Sequence, residues 1–326
     1  MFAKPASAER TTVLNTGRLP PPLVQRLEAR YHFLDLATAT DRAAFLAEHG
    51  PAVQAVVTSA PFGLDLPTLA ALPQVKVISS FGVGLDKLPL AAAAARGIAV
   101  GYTPDVLNDC VADLGFGLLL DTLRRVTSAD RFLRAGHWAA GQVPPLSRRV
   151  SGARLGIVGF GRIGQTIARR ASGFDMDVRY HTRRPVADTA LVHEPSLLAL
   201  ARWCDVLMVI VAGGPGTHHL INTEVLDALG PQSFLVNVAR GSVVDEQALV
   251  LALQQGRIAG AGLDVFEAEP HVPPELLAMD QVVLQPHVAS ATQETRAAMA
   301  QRVWDNLDRF LTTGQLVSAA PLPVGH

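Results

Sequence analysis

Cysteine and aromatic residues are scarce in this chain of 326 residues, which narrows the kinds of protein it can be. Only two cysteines occur, Cys110 and Cys204, and they are far apart, so neither a disulfide framework nor a cysteine-based metal site is expected. We predict that both are buried thiols in a reducing cytoplasm, and we expect no metal site. Aromatic residues make up 6% of the chain, which leaves alanine, valine, leucine and isoleucine to build the core.

A charge excess and long apolar runs are also lacking. The 28 lysines and arginines are balanced by 29 acidic residues, whereas nucleic-acid-binding domains usually carry a basic excess, so no nucleic-acid partner is expected. The longest apolar run, 114–120, is shorter than the roughly 18 residues that span a bilayer, and no membrane partner is expected. Residues 1–10 lack the apolar core of a signal peptide and are expected to form a loose tail.

The sequence instead alternates short β-branched runs with alanine- and leucine-rich helical segments, which predicts an α/β protein with doubly wound parallel sheets. Its length allows two domains of roughly 150 residues. In the first hundred residues, strands are predicted at 11–15, 32–36, 54–59, 75–79 and 98–101. Helices are predicted between them at 21–30, 41–48, 65–72 and 88–96.

A long helix is predicted next, over 106–133. Thr103 can serve as its N-cap, Pro104 fits the first helical position, and Asp105 complements the positive end of the helix. Gly136 is predicted to end it. The following connection carries Trp138, which we interpret as a packing anchor for the loop, with a substrate or subunit contact as the alternative.

A second series of strands and helices follows the connection. Its strands are predicted at 155–159, 177–181, 206–211, 234–237, 261–264 and 282–284. A last helix at 292–311 comes after this sheet is complete, so we expect the chain to return to the first domain. The sequence therefore predicts a discontinuous, flavodoxin-like substrate domain (1–102 plus 289–326) and a Rossmann dinucleotide-binding domain (103–288), with a cleft between them.

A glycine pattern follows the first strand of the second series. Gly159, Gly161 and Gly164 form G-x-G-x-x-G between an apolar strand and a helical segment, which is the context that makes this motif specific. The first glycine allows a tight turn, the second lets a pyrophosphate approach, and the third lets helix and strand pack closely. The helix N-terminus at Arg162 and Ile163 would attract the phosphates.

The end of the next strand distinguishes the two nicotinamide cofactors. An NAD site places an acidic residue there, on the ribose hydroxyl, but residues 178–185 contain none. They contain Thr182, Arg183 and Arg184 instead, and a guanidinium matches the geometry and charge of a 2′-phosphate. We therefore predict that the cofactor is NADPH, with NADH possible; the alternative is that the two arginines are merely solvated.

Three polar side chains, Arg240, Glu269 and His287, each lie in a segment just beyond a predicted strand of the second sheet. Taken singly, each has a structural explanation: a surface arginine, a loop carboxylate and a hydrogen-bonded histidine. Because ligands of open α/β sheets bind outside the carboxyl ends of the strands, their shared placement instead favours a catalytic group.

These motifs, over about residues 75–311, resemble the D-isomer-specific 2-hydroxyacid dehydrogenase family. The marks are the glycine pattern, Asn237-x-x-Arg240-Gly241, Asp264-Val265-Phe266-x-x-Glu269-Pro270 and Pro286-His287, and 81–86 resembles the family's substrate loop. Segment 138–170 and the turn at 180–183 are most similar to NADPH-dependent glyoxylate/hydroxypyruvate reductases and to hydroxyphenylpyruvate reductases.

The resemblance implies roles for these residues in reducing small 2-oxo acids to D-2-hydroxy acids. His287 would donate a proton to the carbonyl oxygen, and Glu269 would orient its ring. Arg240 would clamp the substrate carboxylate, which backbone N–H groups at Val83 and Gly84 would also bind.

The resemblance also implies further cofactor contacts. Asp264 would accept a hydrogen bond from the nicotinamide carboxamide. The other implied contacts are Val211, Thr217, Val238, Ala239, Arg240, His287 and Ser290. The loop 212–219 departs from the family in its extra glycines, where relatives more often carry Leu-Thr-Pro-Glu, and Ala289 stands where glycine is common.

Several alternatives remain open from the sequence. The substrate could be hydroxyphenylpyruvate or 2-ketogluconate, or the enzyme could be an NAD-linked dehydrogenase of lactate, phosphoglycerate or formate. A different class of function is a non-catalytic, dinucleotide-sensing corepressor. Because relatives are usually dimers built through the nucleotide domain, we expect a homodimer.

Overall fold

The computed structural model describes residues 10–323, and contacts divide the chain into two compact units. The first comprises the residues up to Leu107 together with those from Thr292 onward, and the second runs from Asn108 to Ala291. Except for Arg10, the predicted N-terminal tail lies outside the described residues. Among the described helices, none combines the length and apolar character needed to cross a bilayer.

The first unit is built on a parallel sheet, in which the described residues form five strands: β1 (Thr12–Asn15), β2 (His32–Asp35), β3 (Ala55–Ser59), β4 (Val77–Phe81) and β5 (Ala99–Gly101). The strand order is β2-β1-β3-β4-β5, the flavodoxin-like order. Strands β3 and β4 are buried at every position, as expected of a parallel sheet covered on both faces.

Helices cover this sheet: α1 (Pro21–Arg30), α2 (Arg42–His49), α3 (Leu66–Ala70), α4 (Leu90–Ala95) and, from the end of the chain, a 21-residue helix. That last helix, Gln293–Thr313, packs on β4, where the Ser79 hydroxyl donates to the carbonyl of Val303 at 3.1 Å. Asn306, fully buried on it, donates to the carbonyl of Tyr102 at 3.1 Å and ties the end of the chain to the first unit.

The second unit is built on a parallel sheet with seven described strands: β6 (Arg154–Val158), β7 (Asp177–His181), β8 (Val192–His193), β9 (Val206–Val209), β10 (Phe234–Asn237), β11 (Gly260–Leu263) and β12 (Val282–Leu284). The order β12-β11-β10-β9-β6-β7-β8 is that of a Rossmann sheet with one added edge strand. The predicted fold class, two parallel-sheet α/β domains, is therefore confirmed.

Two helices precede β6: α5 (Asn108–Arg124) and α6 (Val126–Arg134). The others lie between the strands of the sheet: α7 (Arg162–Ser172), α8 (Leu197–Trp203), α9 (Thr223–Leu229), α10 (Glu246–Gln254) and α11 (Pro274–Leu277). The helix at Gln293–Thr313 completes the chain order as α12. Helices α8, α9 and α10 bury aliphatic side chains against the interior strands, with Leu200, Leu226 and Ala252 fully buried.

The prediction of one long helix over 106–133 is wrong in two respects. The helix begins later, at Asn108, because Asp105 has a φ of 71°, which a right-handed helix does not accommodate. The side-chain oxygen of Thr103, which would cap a helix starting there, has no hydrogen-bond partner among the described residues. The helix is also broken at Arg125, whose φ is 56°.

Two hydrogen bonds stabilise this break. The carboxylate of Asp121, on α5, accepts the backbone N–H of Thr127 at 2.8 Å and also its hydroxyl, so it caps the start of α6. Beyond α6, the interpretation of Trp138 as a packing anchor is wrong for the described chain, since 69% of its surface is exposed.

Most strands lie within one residue of the prediction at each end, but three differ more. Strand β9 ends at Val209, two residues earlier than predicted. Strand β4 lies two residues later than predicted because its pairing with β3 continues to the Ser59–Phe81 pair. Strand β8 was not predicted: it has two residues, too few to show alternation, and it exists through its pairing with Arg179 and Tyr180.

Candidate active site

The carboxyl ends of three neighbouring strands bring the predicted catalytic residues to one edge of the second sheet. Strands β10, β11 and β12 are parallel, and their last residues pair in register, Asn237 with Leu263 and Leu263 with Leu284. The segments carrying Arg240, Glu269 and His287 begin at these three ends, so the topology places them side by side.

His287 and Glu269 form a direct pair. The ring nitrogen Nδ1 of His287 lies 2.8 Å from Oε2 of Glu269, and both side chains are about one-third exposed. The other carboxylate oxygen of Glu269 accepts the N–H of Phe266 at 3.1 Å, which fixes the carboxylate in its own turn. With Nδ1 bonded to the carboxylate, Nε2 is the nitrogen left to exchange a proton with a ligand.

The pKa of Glu269 is affected by the contacts of this pair. Burial acts to raise it, whereas the hydrogen bond and charge of His287, the N–H of Phe266 and the charge of Arg240 act to lower it. The net effect lowers the pKa of Glu269, so this side chain is a carboxylate at neutral pH.

Local contacts of β10 and its turn position Arg240. The side chain of Asn237 brackets the turn, donating to the carbonyl of Arg240 at 3.0 Å and accepting the N–H of Ala239 at 3.0 Å. The next residue, Gly241, passes so close to the Glu269 turn that a Cβ there would lie 1.9 Å from the carbonyl carbon of Phe266. Glycine at this position therefore lets the arginine turn and the glutamate turn approach each other.

Asp264 holds the histidine loop in place, a role that the sequence analysis did not predict. It is fully buried, and its two carboxylate oxygens accept the N–H groups of Val288 and Ala289 at 2.8 and 2.9 Å. Burial raises its pKa despite these hydrogen bonds. The structure thus makes Asp264 a clamp on the segment after His287, while its contact with the nicotinamide carboxamide stays a prediction.

His287 itself adopts a backbone conformation that is rare for side chains other than glycine, asparagine and aspartate. Its φ is 53°, and its N–H donates to the carbonyl of Asp264 at 2.8 Å. Residues held in such a conformation cluster at functional sites, where the surrounding hydrogen bonds offset the strain.

The glycine turn has the geometry that a pyrophosphate requires. Gly159 has a φ of 98°, and a Cβ on Gly164 would lie 2.3 Å from the carbonyl oxygen of Gly159, so both positions need glycine. A Cβ on Gly161, in contrast, would meet nothing within 4 Å, which leaves space in front of the α7 N-terminus at Arg162 and Ile163. The observed turn therefore fits a dinucleotide phosphate.

The predicted phosphate-binding arginines follow β7, beside this turn. The N–H of Gly159 donates to the carbonyl of His181, the last residue of β7, at 2.9 Å. The Thr182 hydroxyl donates to the carbonyl of Arg184 at 2.6 Å and shapes the turn, while the side chains of Arg183 and Arg184 are exposed. Two guanidiniums are thus available where an acidic residue would otherwise meet the ribose.

The remaining predicted contacts lie at other points of the two units. Thr217 uses its hydroxyl within its own loop, donating to the carbonyl of Ala212 at 2.7 Å. Val83 and Gly84 follow β4 in the first unit and are half-buried. The other predicted cofactor contacts lie just beyond strand ends of the second sheet: Val211, Val238, Ala239 and Ser290.

A family model decides the identity of this site. The model described as D-isomer specific 2-hydroxyacid dehydrogenase, NAD binding domain, matches residues 116–289, which include the glycine turn and all three predicted catalytic residues. The chain belongs to this family. The predicted family and the NAD-binding character of the second unit are confirmed.

Members of the 2-hydroxyacid dehydrogenase family with similar sequences are named reductases. Glyoxylate/hydroxypyruvate reductase A of Arabidopsis thaliana is 43% identical over 91% of this chain and 94% of its own. The 2-ketogluconate reductase of Gluconobacter oxydans is 42% identical over 95% and 99%. The structure of an NADPH-dependent glyoxylate/hydroxypyruvate reductase from Sinorhizobium meliloti with NADP and malonate has a TM-score of 0.89 and 42% identity, covering 96% of this chain and 97% of that one.

Removing the charge of Glu269 should move the pH profile of the dehydrogenase. His287 lowers the pKa of Glu269 by hydrogen bond and charge, and by reciprocity the carboxylate stabilises the protonated ring. In Glu269→Gln that stabilisation is lost, so the pH above which reduction declines should shift downward. The measurement is kcat/KM for reduction across the neutral pH range. Glu275→Gln, on exposed α11, is the control, and an unmoved profile in Glu269→Gln would argue against the pairing.

Proposed function

We propose that this dehydrogenase reduces small 2-oxo acids to D-2-hydroxy acids with NADPH, and that glyoxylate and hydroxypyruvate are its substrates. The observation that carries the proposal is the 2.8 Å pair of His287 and Glu269 at the strand ends of an NAD-binding domain, with Arg240 following the neighbouring strand β10. Two similar proteins, from Arabidopsis thaliana and Sinorhizobium meliloti, are named for this pair of substrates.

The three side chains supply what carbonyl reduction needs apart from the hydride. NADPH, when bound, would supply that hydride to the carbonyl carbon. Arg240 would hold the substrate carboxylate with its planar guanidinium and orient the carbonyl. His287 would donate the proton on Nε2 to the carbonyl oxygen, and Glu269 would stabilise the charged ring before the transfer. The site would then take up one proton from solvent for each turnover.

We expect the backbone of the first unit to contribute to substrate binding. The N–H groups near Val83 and Gly84 would bind the substrate carboxylate, and residues 1–102 plus 289–326 would form the substrate domain. Glycine at 84 would allow a carboxylate to approach the backbone closely.

An assay of NADPH oxidation tests the proposed reaction. Glyoxylate and hydroxypyruvate should give the highest kcat/KM in a panel that also contains hydroxyphenylpyruvate and 2-ketogluconate. A reversed ranking would reassign the substrate to one of the two alternatives. NADPH binding without turnover on any member would favour a corepressor-like function instead.

The cofactor preference has its own test at the end of β7. If Arg183 and Arg184 bind the 2′-phosphate, the double variant Arg183→Gln/Arg184→Gln should raise the KM for NADPH by about a hundredfold, since hydrogen bonds to charged groups contribute about 1.5–3 kcal/mol each. NADH lacks this phosphate, so its KM should stay almost unchanged and is the internal control. Equal losses with both cofactors would show that the arginines support the fold rather than the phosphate.

We also propose that the enzyme is a cytoplasmic homodimer formed through the second unit. Large apolar side chains are exposed over one continuous stretch at and after α6: Leu133, Trp138, Val143 and Leu146. Soluble monomers seldom expose such a patch, and a second copy could cover it. Light scattering on the wild type and on Trp138→Ser/Leu146→Ser should give a dimer and a monomer, respectively. A monomeric wild type would refute the homodimer.

A further inference from the structure

Two consecutive histidines and a glutamate meet beside the arginine turn, outside the proposed catalytic group. His218 and His219 end the glycine-rich loop after β9, and Glu267 lies in the turn after β11. One nitrogen of each imidazole and one carboxylate oxygen of Glu267 all lie within 4.8 Å of one another.

The three side chains already have nearly the separation that one metal ion would require. Nε2 of His219 lies 2.8 Å from Oε1 of Glu267, and the two imidazole rings stack with centroids 3.9 Å apart. Zinc binds such nitrogen and oxygen atoms at about 2.0–2.2 Å in a tetrahedron, which places neighbouring ligand atoms roughly 3.4 Å apart. Rotations of exposed side chains would be enough to reach that geometry.

The backbone around the cluster is held on both sides. The N–H of His219 donates to the carbonyl of Ser242 at 2.8 Å, and the N–H of Glu267 donates to Oε2 of Glu246 at 3.2 Å. The imidazoles and the carboxylate are therefore presented from fixed positions. A preformed site loses little ordering entropy when it binds an ion.

A further carboxylate supports one of the histidines. Oδ2 of Asp245 lies 4.0 Å from Nδ1 of His219, and Oδ1 of the same residue accepts the N–H of Ala248 at 2.9 Å. At 4.0 Å this carboxylate does not hydrogen-bond the ring, but its negative charge favours a cation bound at the histidine.

We propose that His218, His219 and Glu267 bind one divalent transition-metal ion of the zinc class. Two imidazoles and one carboxylate suit Zn²⁺, Ni²⁺ or Cu²⁺ and are poor ligands for Mg²⁺ and Ca²⁺, which prefer oxygen. No metal site was expected from the sequence, because the two cysteines lack metal-ligand spacing and Glu267 is 48 residues from His219. The proposal uses none of the catalytic residues and does not depend on the proposed reaction.

Isothermal titration of the tag-free, full-length protein with ZnCl₂, after treatment with a chelator, tests the site. The wild type should bind one equivalent, and His218→Ala and Glu267→Gln should each weaken binding by about tenfold or more. His271→Ala is the matched control, because this exposed histidine lies four residues from Glu267 and outside the cluster. His218 is exposed, so its replacement should leave the melting temperature without metal unchanged.

The titrations either support the metal site or overturn it. Loss of zinc affinity in His218→Ala and Glu267→Gln, with wild-type affinity in His271→Ala, would support the site. Absence of zinc binding by the wild type would overturn the proposal and leave His219 and Glu267 as an ion pair only. Undiminished binding in His218→Ala would also overturn it, since the ion would then be held elsewhere. MgCl₂, titrated in place of ZnCl₂, should give no binding heat.

Discussion

Replacing His287 by alanine is expected to lower kcat for carbonyl reduction by about 10²–10⁴-fold, the usual contribution of a positioned proton donor. The ring is held at Nδ1 by Glu269, which leaves Nε2 to donate the proton. Arg240 remains charged and cannot replace it as the acid. NADPH affinity should change little, because the glycine turn and the end of β7 carry the proposed phosphate contacts.

The backbone at His287 makes a second variant necessary. Its φ of 53° is unfavourable for alanine, so His287→Ala could lose activity through a distorted loop. Asparagine tolerates this conformation better and can still hydrogen-bond Glu269, but it cannot donate a proton as imidazolium does. His287→Asn should therefore retain the melting temperature and NADPH binding while turnover is lost. Near-normal turnover in either variant would remove His287 from the mechanism.

Replacing Arg240 by alanine is expected to lower kcat/KM for the 2-oxo acid by about a hundredfold or more, equivalent to about 3 kcal/mol. The guanidinium would bind the substrate carboxylate in the ground state and orient the carbonyl in the transition state. KM should therefore rise and kcat should fall together. Measured steady-state kinetics with saturating NADPH separate the two constants.

Conservative replacement distinguishes the clamp from a simple charge effect. Arg240→Lys keeps the charge but loses the planar, bidentate geometry, so it should recover only part of the lost kcat/KM. Arg202→Ala, on the exposed side of α8, is the control and should have wild-type kinetics. If Arg240→Lys is fully active, carboxylate recognition does not depend on the fork. If Arg240→Ala changes neither constant, the clamp assignment is wrong.

Strand positions followed from the sequence wherever apolar runs were bounded by turn residues. The predictions for β10 and β12 have the observed limits because buried parallel strands leave an almost uninterrupted apolar run. The limits of β7 were also predicted correctly, because its buried Val178 and Tyr180 alternate with polar residues. The break between α5 and α6 could not be predicted in the same way. It depends on the carboxylate of Asp121 reaching Thr127, a contact that helical periodicity does not encode.

The candidate site also contains features that the sequence predicts and features that it does not. Gly159, Gly161 and Gly164 were recognisable from spacing alone, because a phosphate turn needs glycines at fixed intervals within one segment. Two other contacts could not be recognised from the sequence. They are the hydrogen bonds that Asp264 accepts from Val288 and Ala289, and the bond from Asn237 to Arg240. Each joins a strand end to a loop whose path the sequence does not specify.

By itself, the sequence determined the alternation of strands and helices, the dinucleotide turn, the missing acid after β7 and the family. These features are local, since each is set by residues within one strand, turn or helix. Only the tertiary structure decided that Nδ1 of His287 meets Glu269 at 2.8 Å and that two histidines lie beside Glu267. Those contacts join residues 18 to 49 positions apart, and the order and register of parallel strands, not the chain between them, set their distances.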